Sequence, residues 1–189
     1  WVLDENITTS AAVDAVCTHF YSETMVINNE LINKQYIKTA PIKKSRKIIM
    51  ENIMNKCSDE DYLTGTSAES TIYRAVMVNS GILAKEKPDK VQNLLEMFDE
   101  FFDECVEEKQ SLSILINKYS AKPYGMRAGV LPILLAYVLS QKKEDIIVYY
   151  EDRETTLTVD AIINMVDYPE KYSMFISKDS ADKDKYLQD

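Results

Sequence analysis

Residues 130–139 are apolar on nearly every side of any helix drawn through them, and a helix of that kind is stable only at the centre of a core. The run is about half the length that a bilayer crossing requires, so it predicts a buried spine and not a membrane span. Pro132 is compatible with that spine only in the first turn, where its missing N–H would have no partner in any case. The helix therefore starts near Gly129 or Val130. The remaining segments must supply surfaces that cover it.

At 189 residues, with 46% hydrophobic and 28% charged side chains, the chain carries enough apolar surface to cover such a spine and fold. Four Gly and five Pro are too few for an all-β domain with many tight turns. The glycines, at positions 65, 81, 125 and 129, cannot assemble a phosphate-binding Gly-x-x-x-x-Gly-Lys-Ser/Thr loop. Helix is the expected majority.

The first helix is predicted from a cap at Thr8 or Thr9 to about Ser22, exposing Asp14 and hiding Ala12, Val13, Val16, Cys17 and Phe20. A second follows Thr39 and Pro41, with Ile42, Ile49, Ile53 and Met54 inward. A polar loop over residues 58–66 leads to a helix over 69–78, built on Ile72, Tyr73, Val76 and Met77 and closed by Gly81. Pro88 opens a long amphipathic helix, with Val91, Leu94, Leu95, Phe98, Phe101, Phe102 and Cys105 opposite Asp99, Glu100, Asp103, Glu104, Glu107 and Glu108.

A short helix over residues 111–119 and a break at Lys122-Pro123-Tyr124-Gly125 precede the spine. Beyond it the period changes: Ile146 to Tyr150 is β-branched and aromatic, 151–154 is a polar turn, and 155–158 can return as a second strand. A helix over 159–166, a turn at Tyr168-Pro169 and an extended segment over 172–176 follow. The expected fold is mainly α (α+β). A helical bundle fills residues 1–109, a winged-helix-like module with a small β-hairpin fills 110–177, and a flexible tail covers 178–189.

The chain opens Trp1-Val2-Leu3 without an initiator Met or an export signal, which reads as a piece of a longer, cytoplasmic protein. Cys17, Cys57 and Cys105 are odd in number and far apart, as expected of free, mostly buried thiols. His19 is the sole histidine. It lies two residues from Cys17, on a different side of the same helix, so neither a Cys-His dyad nor a zinc site is expected. No catalytic residue, metal or cofactor is assigned.

A net charge of −9 opposes general affinity for nucleic acid, yet residues 31–50 hold no acidic side chain. Lys43, Lys44, Arg46 and Lys47 crowd the start of the second helix, where each exposed positive charge opposes the macrodipole by about 0.3–1 kcal/mol. They are the candidates for a nucleic-acid contact, or for pairing with the molecule's own acids. The carboxylates over residues 99–108, at i and i+4 spacing, give a further alternative, a metal-dependent hydrolase. A solvated helix face explains them as well.

Four strings occur together: Asn29-Glu30-Leu31-Ile32-Asn33; Ala68-Glu69 with Ile72-Tyr73; Pro123-Tyr124-Gly125-Met126-Arg127 with residues 129–135; and Tyr168-Pro169-Glu170-Lys171-Tyr172. Their order and spacing resemble the C-terminal half of large bacterial P-loop ATPase-like proteins of the phage-defence type. The resemblance implies a noncatalytic accessory domain that follows an ATPase core and contacts other domains of the same protein, or a protein partner. It supplies no catalytic residue. Asn29, Glu30, Asn33, Tyr124 and Arg127 are the polar members of those strings, expected to tie loops to helix ends.

Overall fold

The structure, a computed structural model, describes residues 8–142 and 146–177. The expected flexible tail, 178–189, lies outside the described residues. Thr8 caps α1 (Thr9–Phe20) through its hydroxyl, and Thr39 precedes α2 (Ala40–Met54), which has Pro in its first turn. The segment expected as a polar loop contains α3 (Glu60–Thr64). Ser67 then caps α4 (Ala68–Tyr73), which runs on into a π-helical turn, Arg74–Val78. From that turn the Arg74 guanidinium reaches back to the carbonyls of Tyr62, Leu63 and Gly65, at 2.6, 3.3 and 2.7 Å, and so holds the end of α3.

The long amphipathic helix is α5 (Asp89–Glu107), and its expected inner residues are buried, apart from half-buried Leu95. A two-residue strand, β1 (Gln110–Ser111), leads into α6 (Leu112–Ser120), which Ser111 caps. The spine is α7 (Leu131–Gln141), in which only Tyr137 and Gln141 escape full burial. Its first turn holds Pro132, as the missing N–H requires. Each buried Leu, Ile or Val of α7 contributes about 1.5–3 kcal/mol relative to exposure. No helix among the described residues is long and apolar enough to cross a membrane.

β2 (Ile146–Tyr150) and β3 (Arg153–Thr155) form a hairpin that is tighter than expected. Its turn is only Glu151-Asp152, both residues left-handed (φ 46° and 64°), the geometry that matches strand twist in a two-residue loop. The return strand therefore begins at Arg153, and the predicted strand over 155–158 gives way to Thr158 as the cap of α8 (Val159–Asp167). A 3₁₀ turn, Pro169–Lys171, leads to β4 (Tyr172–Ile176). All pairings are antiparallel, in the order β1-β4-β2-β3, with Gln110 opposite Met174 and Val148 opposite both Met174 and Thr155. β4 alternates its burial, with Tyr172, Met174 and Ile176 inward. The fold is thus mainly helical with a small antiparallel sheet, in the α+β class.

α7 packs on α2 and α8, while α5 and α6 pack on β4. Buried residues on both sides of position 109 belong to one cluster, from Ile49 and Met50 through Phe98 and Phe102 to Leu135, Ile162 and Met174. Inside it the Tyr119 hydroxyl donates to the Leu94 carbonyl at 2.6 Å, and its ring lies 4.6 Å from that of Phe98.

Two expectations about burial are overturned. No residue of α1 is buried, and Val13 is 54% exposed; Ala12, Ala15 and Val16 are half-covered, and the Lys122 ammonium lies 3.6 Å from the centre of the Phe20 ring. The thiols are not mostly buried either: Cys17 and Cys57 are exposed, and only Cys105 is enclosed, where burial pushes its thiol up to about 12.

Candidate functional site

Two of the strings singled out in the sequence meet in space. In the first, Asn29 builds an Asx turn: its side-chain oxygen accepts from the Leu31 amide at 3.0 Å, and its carbonyl accepts from the Asn33 amide at 2.9 Å. The Asn33 side chain donates to the Ile27 carbonyl at 2.9 Å, which closes the loop over fully buried Ile32. In the second, the Tyr124 and Gly125 amides both reach the Ala121 carbonyl, past a cis Lys122-Pro123 bond. Gly125 is left-handed at φ 60°.

Three bonds join the loops. The Gly129 amide donates to the Lys34 carbonyl at 2.8 Å, the Thr24 hydroxyl to the Tyr124 carbonyl at 2.6 Å, and the Glu23 amide to the Pro123 carbonyl at 3.2 Å. A Cβ on Gly129 would stand 2.2 Å from the Ile32 carbonyl oxygen, a backbone atom with nowhere to retreat. One on Gly125 would stand 2.5 Å from the ring of Tyr21. Both glycines are therefore demanded by close approach.

Between the joined loops, α1 and the start of α5 lies an open cleft of about 420 Å³. Cys17, Thr18 and Tyr21 form its α1 wall, and Asn33 and Gln35 come from the first loop. Met126 and Arg127 come from the second, and Lys90 from the first turn of α5. No Asp or Glu lines it.

The residues expected to matter divide between structure and surface. Asn29 and Asn33 tie their own loop. Glu30 is exposed. Tyr124 is half-buried and edge-on to Tyr119, with centroids 6.1 Å apart. Arg127 is exposed on the rim, and its backbone carbonyl accepts from the Val130 and Leu131 amides at the start of the spine.

The four basic residues of α2 do not share one face. Lys43 and Lys44 are exposed, and Lys47 pairs with Asp160 at 2.5 Å. Arg46 is 8% exposed, and its Nη1 makes a long 3.5 Å bond to the Gly129 carbonyl while its Nε finds no partner. Burial pulls its guanidinium pKa down, and the field of Asp167 partly offsets this. On α5, Asp99 pairs with Lys142 and Glu100 with Lys118, both at 3.3 Å. Among the described residues no three His, Cys, Asp or Glu side chains stand together as a metal site. His19 is exposed, edge-on to Phe20 with centroids 4.9 Å apart.

A smaller hollow of about 260 Å³ lies beside the π-helical turn. Its polar groups serve one another: Asn52 donates to the Tyr62 hydroxyl, and the Tyr73 hydroxyl donates to Asp59 at 3.0 Å. The Tyr62 and Tyr73 rings stack at 4.8 Å, and burial raises the Tyr73 phenol pKa above its ordinary value. These contacts account for the hollow as part of the packing.

Sequence reasoning missed Lys90, Gln35, Thr18 and Cys17 as members of the cleft. None of them carries a local signal, since each reads as an ordinary surface residue until the two loops are joined. Comparison of the chain with protein-family models, with curated proteins and with solved structures found no match.

Proposed function

We propose that this chain is a noncatalytic interaction domain that packs against a neighbouring domain of a larger, cytoplasmic P-loop ATPase-like protein of the bacterial defence type. The observation that carries the reading is the concentration of exposed apolar side chains in one stretch: Val13, Phe20, Tyr21, Val26, Leu31 and Tyr36. Val26 and Tyr36 are each 76% exposed. Large apolar groups left exposed close together in the chain are what a contact site would need.

Hydrogen exchange measured on the chain alone and on the full product of its gene tests this. Amides over residues 9–36 should exchange more slowly in the full product, and Val26→Asp with Tyr36→Asp should abolish that protection. Equal exchange in both, or divalent-dependent hydrolysis by the chain that is lost in Asp99→Asn, overturns the reading.

A second reading, nucleic-acid binding, rests on Lys43 and Lys44, which stand exposed in the first turns of α2. Phosphate contacts there would make duplex binding weaken steeply between low and moderate salt. Arg46 is too enclosed to join them.

A further inference from the structure

We propose that the cleft between the two joined loops is a binding site for a small phosphate monoester with an apolar body, of about the size of a mononucleotide. The chain has 31 acidic residues against 22 basic ones, yet the cleft wall has two cations, Lys90 and Arg127, and no carboxylate. Both side chains are exposed, and among the described residues neither takes part in a salt bridge or a side-chain hydrogen bond. In a molecule of net charge −9, two unpaired cations facing one hollow create a local positive potential against the mean field. Glu23 and Asp89 are nearby carboxylates, but they line the adjacent hollow on the other side of Lys90. The Glu23 carboxylate there accepts from the Asn93 side chain at 2.9 Å.

The charge count selects the anion. A carboxylate would satisfy one cation, whereas a phosphate monoester carries a charge of about −1.5 to −2 at neutral pH and offers three acceptor oxygens. Arg127 can take two of those oxygens with its planar fork, and Lys90 supplies a point charge to the third. Thr18 and Gln35 add uncharged polar groups on the α1 and loop walls. The rest of the wall is mixed, with Met25, Val26, Ile27 and Met126 as its apolar part beside Thr24, Asn33 and Ser120. Inorganic phosphate would leave that apolar part wet. A volume of about 420 Å³ lies within the range of sites for small organic ligands.

The site reports on itself through Cys17, an exposed thiol on the cleft wall, with the exposed Cys57 lining the distant hollow as an internal reference. Calorimetry on the chain with AMP, phenyl phosphate, adenosine and inorganic phosphate should show saturable binding of at least one ester. Adenosine and inorganic phosphate should bind that site at least about tenfold more weakly than the ester. The bound ester should slow thiol-reagent labelling of Cys17 and leave Cys57 unchanged. Lys90→Ala and Arg127→Ala should each weaken the ester about tenfold with unaltered melting, since neither side chain contributes to packing. Absence of saturation by both esters at millimolar concentration overturns the proposal. Binding that survives both substitutions, or that leaves Cys17 labelling untouched, overturns it as well. The cleft shares Tyr21 and Val26 with the surface proposed to contact a neighbouring domain; calorimetry on the chain alone tests the cleft, and hydrogen exchange on the full gene product tests the contact.

Discussion

The Ser45 hydroxyl donates to Glu69 at 2.7 Å and so fastens the first half of α2 to the first turn of α4. That bond, with a smaller contribution from the field of Lys44, holds the Glu69 carboxylate below its ordinary range. A depressed folded value means that the native state binds fewer protons than the unfolded chain between the two pKa values, so stability rises with pH through that window. The contribution is complete above the unfolded value and is lost as pH falls through the folded one. Ser45→Ala should therefore destabilise the protein by about 1 kcal/mol at neutral pH. In strong acid, where Glu69 is protonated in both states, the difference should shrink. Urea denaturation at the two pH values checks this, and a deficit that is independent of pH would show that the bond to the ionised carboxylate is not responsible.

The same helix shows where reading by residue type fails. Hydrophobic spacing placed Ile42, Ile49, Ile53 and Met54 inward, and Ile49 and Met54 are buried, but the face turned to the core also presents Ser45, Arg46 and Met50. A charged residue reads as solvated unless something beyond its own helix encloses it. Here the enclosing parts are α7, α8 and the Gly129 loop, all remote in sequence.

Among the elements, capping residues were legible only in part. Thr8, placed at the start of α1 by the sequence, accepts a backbone N–H there, whereas Thr39 makes no side-chain cap bond and Thr158, expected in a strand, caps α8. The hairpin turn was misread, because Glu151-Asp152-Arg153-Glu154 is uniformly polar and nothing local says which two residues turn left-handed. The burial of α1 was misread for a different reason. Its apolar spacing is real, but Val13 stands 54% exposed, and the spacing alone does not say which side of the helix the rest of the fold covers. The joined loops were legible as strings and not as a cleft, because the bonds that unite them span about a hundred residues.

The glycine at position 129 makes that union testable. Gly129→Ala puts a carbon against the Ile32 carbonyl and should cost about 1–3 kcal/mol, by pushing the loops apart and weakening the bond from its amide to Lys34. Denaturant titration reads the loss directly. Wild-type stability in that variant would mean that the loops can separate freely.

At the scale of the whole molecule, one hydrophobic cluster runs from α2 through α5 and α7 to α8 and β4. Units that share a core unfold together. Thermal unfolding followed by far-ultraviolet circular dichroism and by tyrosine fluorescence should therefore give coincident single transitions. Two resolved steps would indicate that residues before and after position 109 melt separately. The α+β class and the central place of residues 131–141 were legible because an all-round apolar helix has only one tolerable environment. The order of the strands was not, since short strands pair over long separations that composition does not encode.

That strand order bears on synthesis. β4, the last strand in sequence, lies between β1 and β2, so β1 has no partner until residues 172–176 arrive. A ribosome that releases the chain from its N-terminus can let α2 to α4 associate early, but the sheet must wait until β4 has left the exit tunnel. Until then the side of α5 that β4 covers stays open to water. Nascent chains stalled before residue 172 are accordingly the ones that a chaperone should hold.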